Sequence, residues 1–256
     1  MAAERSGLQL DVLGAGPAYT DRIGSAGAAY LLRAEGTAIV LDLGQGAFPR
    51  LAAQLEPSGV DAIVISHLHP DHFIDLIALR HYLRWQFHPP RRVRVIAAEG
   101  LAHRLDAVHD EPGFAAASLD IEPLAPGSFE IGAIGVEARR VTHTDNSYAF
   151  RVSSGPGPGL VYSGDCGRAE DLDPLIRPGD ALLCEVSFGP GPAPDDAGHL
   201  DGRLVGELAA RCRPGRVLLT HLQMGFDPVA TVESVARSYA GPVDLVEPGT
   251  HVALAP

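Results

Sequence analysis

The six residues HLHPDH at positions 67–72 constrain the fold of this 256-residue chain more than any other feature. The run follows Val60–Ser66, a short apolar stretch that predicts a buried β-strand. It leads into His72–Phe87, where apolar residues recur at helical spacing until Pro89. On α/β scaffolds, the side chains that carry chemistry gather where strands end. The run therefore predicts a functional site between a strand and a helix.

The spacing inside this run suits a centre with two metal ions. Alternate residues at a strand end can face one point, so His67 and His69 can bind one ion. Asp71 and His72 lie where the chain turns into the helix, and they can face a second ion. Imidazole suits zinc, iron or nickel, and a carboxylate adds the character of a hard ligand. A polar loop of surface histidines is the alternative, and it is disfavoured because four further residues fit the same plan.

Those four residues occur farther along the chain, three of them within two residues of the end of a predicted strand. They are His143, Asp165, His199 and His221. Each alone has a simpler explanation, because a single histidine near a strand end is more often a core or surface residue than a ligand. Jointly with the run they place six of the 11 histidines in one pattern. The other five show no such spacing and are interpreted as structural or solvated: His81, His88, His103, His109 and His251.

The rest of the chain predicts many strands, with helices at irregular intervals. Further strands are predicted at Leu8–Leu13, Ala28–Arg33, Thr37–Leu43, Arg92–Ala97, Ile134–Val141, Ala149–Val152, Leu160–Ser163, Ala181–Val186, Arg216–Thr220 and Val243–Val246. Helices are predicted at Asp201–Cys212 and Pro228–Tyr239. No internal repeat or long linker divides the sequence, so residues 1–256 are expected to form one domain. Two sheets packed face to face, with helices outside, would bury the apolar faces of these elements.

The composition disfavours several other classes of protein. The formal net charge of −12 argues against a protein that binds nucleic acid through a basic surface. No apolar run is long enough for a membrane span, and the charged N-terminal segment MAAERS lacks the apolar stretch of a secretory signal. Three cysteines without close pairs fit a reducing compartment, so we expect a cytoplasmic protein. All 20 basic residues are arginine, which we interpret as the codon bias of a GC-rich bacterial genome.

From Leu8 to about Leu254 the sequence resembles the metallo-β-lactamase superfamily. The run HLHPDH, His143, the segment SGD that ends at Asp165, and His221 match the motifs of that family in order. The resemblance implies an α/β fold, the four-layer αββα sandwich, with a two-metal site at one edge. It implies a first metal held by His67, His69 and His143, a second held by Asp71, His72 and His221, and Asp165 bridging both. Two divalent ions are expected, with zinc first and manganese or iron as alternatives.

The run GHLD at residues 198–201 is similar to ribonuclease Z and to bacterial cyclic-nucleotide phosphodiesterases of that type. In those enzymes the histidine at this place, here His199, is not a metal ligand; it contacts the phosphate and can protonate the leaving oxygen. Glu185 matches an acidic position that could hydrogen-bond a ligand histidine, and a surface or structural glutamate is an equally open interpretation. Ribonuclease Z typically carries a long basic arm that grips tRNA, and this chain has no such insertion between His72 and His143.

The resemblance therefore implies a binuclear metal-dependent hydrolase, and a small phosphodiester such as a cyclic nucleotide is the expected substrate. A hydroxide that bridges the metals would attack phosphorus, His199 would be the general acid, and Asp71 is expected to act in catalysis as well. The alternatives are a tRNA 3′-processing endonuclease and an arylsulfatase or lactonase on the same site. A non-enzymatic accessory protein is disfavoured because all seven ligand positions are filled. Members of the family are often dimers, so a homodimer is an expected assembly, although no apolar stripe identifies an interface.

Overall fold

Two seven-stranded β-sheets form the centre of the computed structural model, which describes residues 7–254. Residues 1–6, which carry the charges that argue against a secretory signal, and residues 255–256 lie outside the described part of the chain. The prediction of two sheets with helices outside is confirmed. The interpretation of residues 1–256 as one domain stays a prediction.

The first sheet contains the N-terminal strands and the last strand. Its members are β1 (Gln9–Gly14), β2 (Ala29–Ala34), β3 (Thr37–Leu41), β4 (Ala62–Val64), β5 (Val93–Ala97), β6 (Leu119–Pro123) and β14 (His251–Ala253). Their spatial order is β14-β1-β2-β3-β4-β5-β6. Pairing is antiparallel from β14 to β3 and parallel from β3 to β6.

The second sheet repeats this division into an antiparallel and a parallel half. Its members are β7 (Gly127–Ile131), β8 (Ile134–Arg140), β9 (Tyr148–Ser153), β10 (Leu160–Tyr162), β11 (Ala181–Glu185), β12 (Arg216–Thr220) and β13 (Val243–Leu245). Their order is β13-β12-β11-β10-β9-β8-β7. Pairing is antiparallel from β7 to β10 and parallel from β10 to β13.

Six α-helices are present in residues 7–254, together with short 3₁₀ turns. The α-helices are α1 (Phe48–Gln54), α2 (Pro70–Phe73), α3 (Leu76–Trp85), α4 (Leu101–His109), α5 (Gly202–Cys212) and α6 (Pro228–Ala236). The 3₁₀ turns are Pro57–Gly59, Ala115–Ala117 and Ala169–Leu172. None of the helices in the described residues has the length and apolar character needed to cross a membrane.

The central strands are apolar on both faces because each sheet packs against the other sheet on one face and against helices on its outer face. In β11 and β12, Leu183 and Leu218 belong to the core between the sheets. Their neighbours Leu182 and Leu219 belong to a second core, which includes Val205 on α5. Strands buried on both faces form continuous apolar runs, without the alternation of a half-exposed strand. This is why the sequence showed these strands clearly.

The predicted helix His72–Phe87 is wrong in detail, because two helices, α2 and α3, occupy this region. The single turn α2 starts at Pro70, and α3 starts after Asp75, whose Oδ2 accepts a hydrogen bond from the Phe48 backbone N–H at 2.8 Å. This break lets α2 hold residues 70–73 at the sheet edge. Strands β6, β7 and β14 and helices α1 and α4 were not predicted. The three strands are mostly exposed and lack a clear apolar pattern.

Candidate metal centre

The residues of the predicted site lie at one edge of the sandwich, beyond the carboxyl ends of strands from both sheets. Residues 67–72 follow β4 of the first sheet. His143 follows β8, Asp165 follows β10 and His221 follows β12, and these three strands of the second sheet run in the same direction. Side chains at the ends of strands that run in one direction meet at one edge, so the topology brings together residues that are far apart in sequence.

The structure gathers the candidate ligands into two groups. The first group contains His67, His69, His143 and Asp165, and the second contains Asp71, His72 and His221. Within each group the ligand atoms lie within 4.8 Å of one another. In the first group His143 Nε2 is 3.1 Å from His69 Nδ1, and in the second His221 Nε2 is 3.2 Å from Asp71 Oδ2. All seven residues therefore lie close enough to surround two neighbouring points.

The carboxylate of Asp165 lies between the two groups. Its Oδ2 is 3.6 Å from His67 Nε2 and 3.7 Å from His143 Nε2. Its Oδ1 is 3.3 Å from His72 Nε2 and 3.5 Å from His221 Nε2. One oxygen thus faces each group, which is the arrangement that a bridging carboxylate requires.

Buried polar atoms without partners show that the residues present fit a pair of divalent cations. Within residues 7–254, His67 Nε2, His72 Nε2 and Asp165 Oδ1 are buried and make no hydrogen bond. An unsatisfied buried group costs about 1–3 kcal/mol, so three of them at one point need an explanation. Five imidazoles and two carboxylates form a nitrogen and oxygen donor set that suits zinc, and also manganese or iron. A cation at each group would satisfy these atoms.

The pKa shifts agree with this fit. Burial, joined by the positive charge of His72, holds the pKa of His67 well below its usual value, so His67 is neutral as a metal ligand must be. Burial also lowers the pKa of His72, but the carboxylates of Asp165 and Asp42 outweigh it and raise this pKa well above its usual value. The space beside Asp165 therefore favours positive charge, which a cation supplies as well as a proton does.

Asp42, at the end of β3, orients one of the candidate ligands. Its Oδ2 accepts hydrogen bonds from His72 Nδ1 at 2.8 Å, from Ser66 Oγ at 2.8 Å and from the hydroxyl of Tyr162 at 2.7 Å. Its Oδ1 accepts the Ser66 backbone N–H at 2.6 Å. Because His72 Nδ1 donates to Asp42, His72 Nε2 is the nitrogen left free to bind a metal.

Two other candidate histidines are oriented in the same manner. His143 Nδ1 donates to the backbone oxygen of Gly198 at 2.8 Å, which leaves Nε2 directed at His69. His221 Nδ1 lies 3.1 Å from Ser187 Oγ, which leaves Nε2 directed at Asp71. Each hydrogen bond fixes the ring and frees the nitrogen that faces the centre.

His199 lies next to both groups, but a carboxylate holds it separately. Its Nδ1 is 2.9 Å from Glu185 Oε1, and a ligand atom of its ring lies within 4.8 Å of those of Asp165 and His221. Glu185 is fully buried and also accepts the backbone N–H groups of Cys166 and Ser187, both at 3.0 Å. The interpretation of Glu185 as a surface residue is wrong, and its histidine partner is His199.

Sequence reasoning missed the supporting residues Asp42, Ser66 and Ser187 as members of the site. Asp42 could have been found, because it is a carboxylate inside the predicted apolar strand Thr37–Leu43 and would need partners if it were buried. Ser66 and Ser187 carry no comparable signal. Their roles depend on hydrogen bonds that only the folded structure brings together.

Comparison with known proteins gives independent support for the family of this chain. The model of a family described as "Beta-lactamase superfamily domain" matches residues 39–222. The uncharacterized protein ML1173 of Mycobacterium leprae is 32% identical over 229 residues, which are 86% of this chain and 80% of that protein. Ribonuclease Z of Mycobacterium bovis (strain BCG / Pasteur 1173P2) is 28% identical over 199 residues, which are 70% of each chain.

The crystal structure of the metallo-β-lactamase fold protein YhfI from Bacillus subtilis has the same architecture. It matches with a TM-score of 0.86 and 19% sequence identity, covering 97% of this chain and 100% of that chain. The expected αββα sandwich is thereby confirmed. On the family match, and on the fold in which its motif residues meet, the chain belongs to the metallo-β-lactamase superfamily.

Proposed function

We propose that this protein is a metal-dependent phosphodiesterase that acts on a small phosphodiester such as a cyclic nucleotide. The observation that carries the proposal is His199, a histidine beside the seven candidate ligands that Glu185 holds through Nδ1. A hydrolase that uses metal ligands alone does not need this additional imidazole. A phosphodiesterase that releases an alkoxide does need it, because an alkoxide leaves readily only when it receives a proton.

Each residue of the centre has a role in this proposal. His67, His69 and His143 would hold one divalent ion, Asp71, His72 and His221 a second, and Asp165 would contact both. Zinc is the proposed metal, with manganese and iron as alternatives. Bound divalent cations lower the pKa of a water molecule and offset the negative charge of the phosphate.

His199 is the proposed general acid. Burial lowers the pKa of His199, but the hydrogen bond to Glu185 and the charge of that carboxylate outweigh burial and raise the pKa to about 9. At neutral pH the ring is therefore an imidazolium, whose Nε2–H can donate to the leaving oxygen.

Asp71 is proposed to act in catalysis as well as in metal binding. Asp71 is buried, its Oδ2 lies 3.2 Å from His221 Nε2, and as a metal ligand it must be a carboxylate. We propose that its oxygen accepts the proton of the attacking water.

Three observations support a small phosphodiester as the substrate. The relative named ribonuclease Z, at 28% identity over 70% of this chain, points to phosphodiester chemistry. The net charge of −12 disfavours a polyanionic nucleic acid as the substrate. The stretch between His72 and His143, where the sequence lacks a long basic insertion, folds mainly as α3, β5, α4 and the strands β6, β7 and β8. The cytoplasmic location and the homodimer expected from the sequence stay predictions.

Hydrolysis of bis(p-nitrophenyl) phosphate by zinc- or manganese-loaded protein, compared with chelator-treated protein, tests the reaction class. We expect turnover that the chelator abolishes. If protein with two bound metals shows no turnover, while sulfate esters, lactones or tRNA precursors are cleaved, one of the alternative activities replaces this proposal.

The His199→Ala variant tests the general acid through the leaving group. The p-nitrophenolate ion leaves without a proton, whereas the alkoxide of a cyclic nucleotide does not. We therefore expect this variant to keep its metals, to lose about 10²–10⁴-fold in kcat/KM on a cyclic nucleotide, and to lose far less on bis(p-nitrophenyl) phosphate. His88→Ala, which changes an exposed histidine, is the matched control. Equal losses on both substrates would remove the general-acid role.

A further inference from the structure

The run GHLD ends in Asp201, a residue that has no part in the proposed mechanism although its side chain is fully buried. Asp201 lies at the end of the loop of residues 186–201, which connects β11 to α5. Its Oδ1 accepts the backbone N–H of Leu204 at 2.8 Å and so caps the N-terminus of α5. Burying a carboxylate costs free energy unless its oxygens are paired. The helix cap accounts for one oxygen of Asp201 and leaves the other to be explained.

The second oxygen of Asp201 holds the loop. Its Oδ2 accepts the backbone N–H of Ala193, in the middle of the loop, at 2.8 Å. The guanidinium of Arg203 is 3.9 Å from Oδ2, which is too far for a hydrogen bond. Gly191 packs against the same carboxylate: a Cβ at this position would lie 2.8 Å from Oδ2, and its φ of 86° suits glycine. The loop therefore closes tightly around the side chain of Asp201.

The same loop contacts both parts of the candidate centre. The backbone oxygen of Gly198 accepts a hydrogen bond at 2.8 Å from Nδ1 of His143, a candidate ligand of the first group. The next residue is His199, the proposed general acid, whose ring centroid is 4.6 Å from that of His143. Two successive residues of the loop thus determine how a ligand and the general acid are placed.

Other contacts fix the base of this loop, and Asp201 fixes its tip. At the base, the Phe188 N–H donates to the Leu200 backbone oxygen at 3.1 Å. In the part of the chain that the structure describes, the Asp201 carboxylate is the one side chain that hydrogen-bonds residues 191–197. Residues 194–197 form a turn that joins Ala193 to Gly198. Without the hydrogen bond to Ala193, this turn would keep only its internal hydrogen bond, and Gly198 would be held from one side.

We infer that Asp201 is a positioning residue: through the loop, it fixes the Gly198 backbone oxygen that orients His143 and the place of the His199 ring. It reaches this segment from both directions, since Ala193 lies before Gly198 and Asp201 itself lies two residues after His199. One buried carboxylate thereby sets the geometry of a first-group ligand and of the general acid. The part that concerns His199 rests on the proposed function, and the part that concerns His143 rests only on the metal centre.

The Asp201→Ser variant separates the two roles of this carboxylate. Serine caps a helix about as well as aspartate, but its single oxygen, on a shorter side chain, cannot also accept from Ala193. Asp227→Ser is the matched control, because Asp227 caps α6 through the Ala230 N–H at 2.8 Å and, within residues 7–254, its side chain accepts no other hydrogen bond. Ala193→Pro removes the same hydrogen bond from the other partner and keeps the cap, so it decides the question if Asp201→Ser does not fold.

Competition with a chromophoric chelator measures the affinity of each variant for its two zinc ions. We expect Asp201→Ser and Ala193→Pro to lower one of the two affinities about 10–100-fold, as loss of a hydrogen-bonded partner of a ligand histidine does. The other affinity should stay unchanged, and Asp227→Ser should change neither. A general loss of stability would lower both affinities, so the selective loss distinguishes positioning from a merely structural role.

Turnover at saturating zinc tests the part of the inference that concerns His199. We expect kcat on a cyclic nucleotide to fall about 10–100-fold in Asp201→Ser, with little change in KM, because a misplacement of about 1 Å can cost 10²-fold. Bis(p-nitrophenyl) phosphate, whose leaving group needs no proton, should lose far less. Equal losses on the two substrates overturn the positioning of His199.

The zinc affinities separate this inference from the proposed function. If the zinc-loaded protein hydrolyses no phosphodiester, the proposed function fails, but the affinities still decide whether Asp201 positions His143. Affinities that stay unchanged in both Asp201→Ser and Ala193→Pro, or that fall equally at both ions, overturn the inference. An unchanged protein that binds no zinc overturns it as well.

Discussion

Replacing Asp42 by asparagine tests how the fold supports the metal centre. Asp42 is fully buried and has a positive φ of 58°. Asparagine adopts this left-handed conformation readily and has nearly the same shape, so the backbone is not expected to change. What changes is the hydrogen bonding: the carboxylate accepts from His72, from the hydroxyl of Tyr162 and twice from Ser66.

The size of the effect follows from these contacts. An asparagine amide has one oxygen and one NH₂ group. Since every neighbour of the Asp42 carboxylate donates a hydrogen bond to it, the NH₂ group must point at another hydrogen-bond donor in either orientation of the amide. If the NH₂ group takes the place of Oδ2, it opposes Ser66 Oγ, His72 Nδ1 and Tyr162, and the His72 ring no longer has an acceptor for Nδ1. Each hydrogen bond to a charged group contributes about 1.5–3 kcal/mol, so we expect the free energy of unfolding to fall by about 2–4 kcal/mol. Loss of such a partner typically lowers metal affinity about 10–100-fold.

Two assays separate these consequences. Urea unfolding with a chelator present measures stability without any contribution from bound metal, and competition with a chromophoric chelator measures metal affinity. Asp61→Asn is the matched control, because the Asp61 carboxylate is exposed and, among residues 7–254, accepts only the Ala38 backbone N–H, at 2.8 Å. If Asp42→Asn binds both metals within twofold of the unchanged protein and unfolds at the same urea concentration, the reasoning about Asp42 is refuted.

Three further outcomes are expected. Glu185→Gln should move the alkaline fall in the rate on a cyclic nucleotide to lower pH, because the proposed general acid His199 would act when protonated and Glu185, against the lowering effect of burial, raises its pKa to about 9; a pH–rate profile checks this. Asp180→Ala should lower the free energy of unfolding by about 3–5 kcal/mol in urea titrations, because it leaves the buried Arg151 guanidinium unpaired. Burial raises the pKa of Asp180, but the hydrogen bonds from Arg151 and two backbone N–H groups have the larger effect and hold the pKa below its usual value. The stability that this ion pair contributes is therefore lost as the pH falls through that lowered pKa. Addition of zinc to chelator-treated protein should raise Tm, with about 2.7 kcal/mol gained at a free concentration 100 times Kd, and calorimetry without such a rise would contradict the metal centre.

The parts of this structure that could be predicted from sequence are those with a local signal. Strands such as β11 are buried on both faces, and their apolar runs are visible in one dimension. The run at 67–72 combines four side chains that can bind a metal within six residues. Strand β6 is mostly exposed and helix α4 has only two buried residues, Leu101 and Leu105, so neither has a strong pattern. Asp42 was missed because one of its partners, Tyr162, is 120 residues away, and only the packing of the two sheets brings them together.

That packing also explains why the centre is sensitive to the fold as a whole. Each ligand group takes side chains from both sheets: His67 and His69 meet His143 and Asp165, and the Asp71–His72 pair meets His221. The spacing between the sheets therefore sets the ligand distances.

The core directly behind the centre holds this spacing. There the ring of Tyr30 in the first sheet packs against that of Tyr162 in the second, with centroids 4.9 Å apart, and the Tyr30 hydroxyl lies 2.6 Å from Thr220 Oγ1, next to His221. The hydroxyl of Tyr162 crosses back to Asp42 and so to His72. Two buried tyrosines thus connect candidate ligands of opposite sheets, so cations bound at this edge would stabilise the contact between the sheets, and this contact would in turn position the cations.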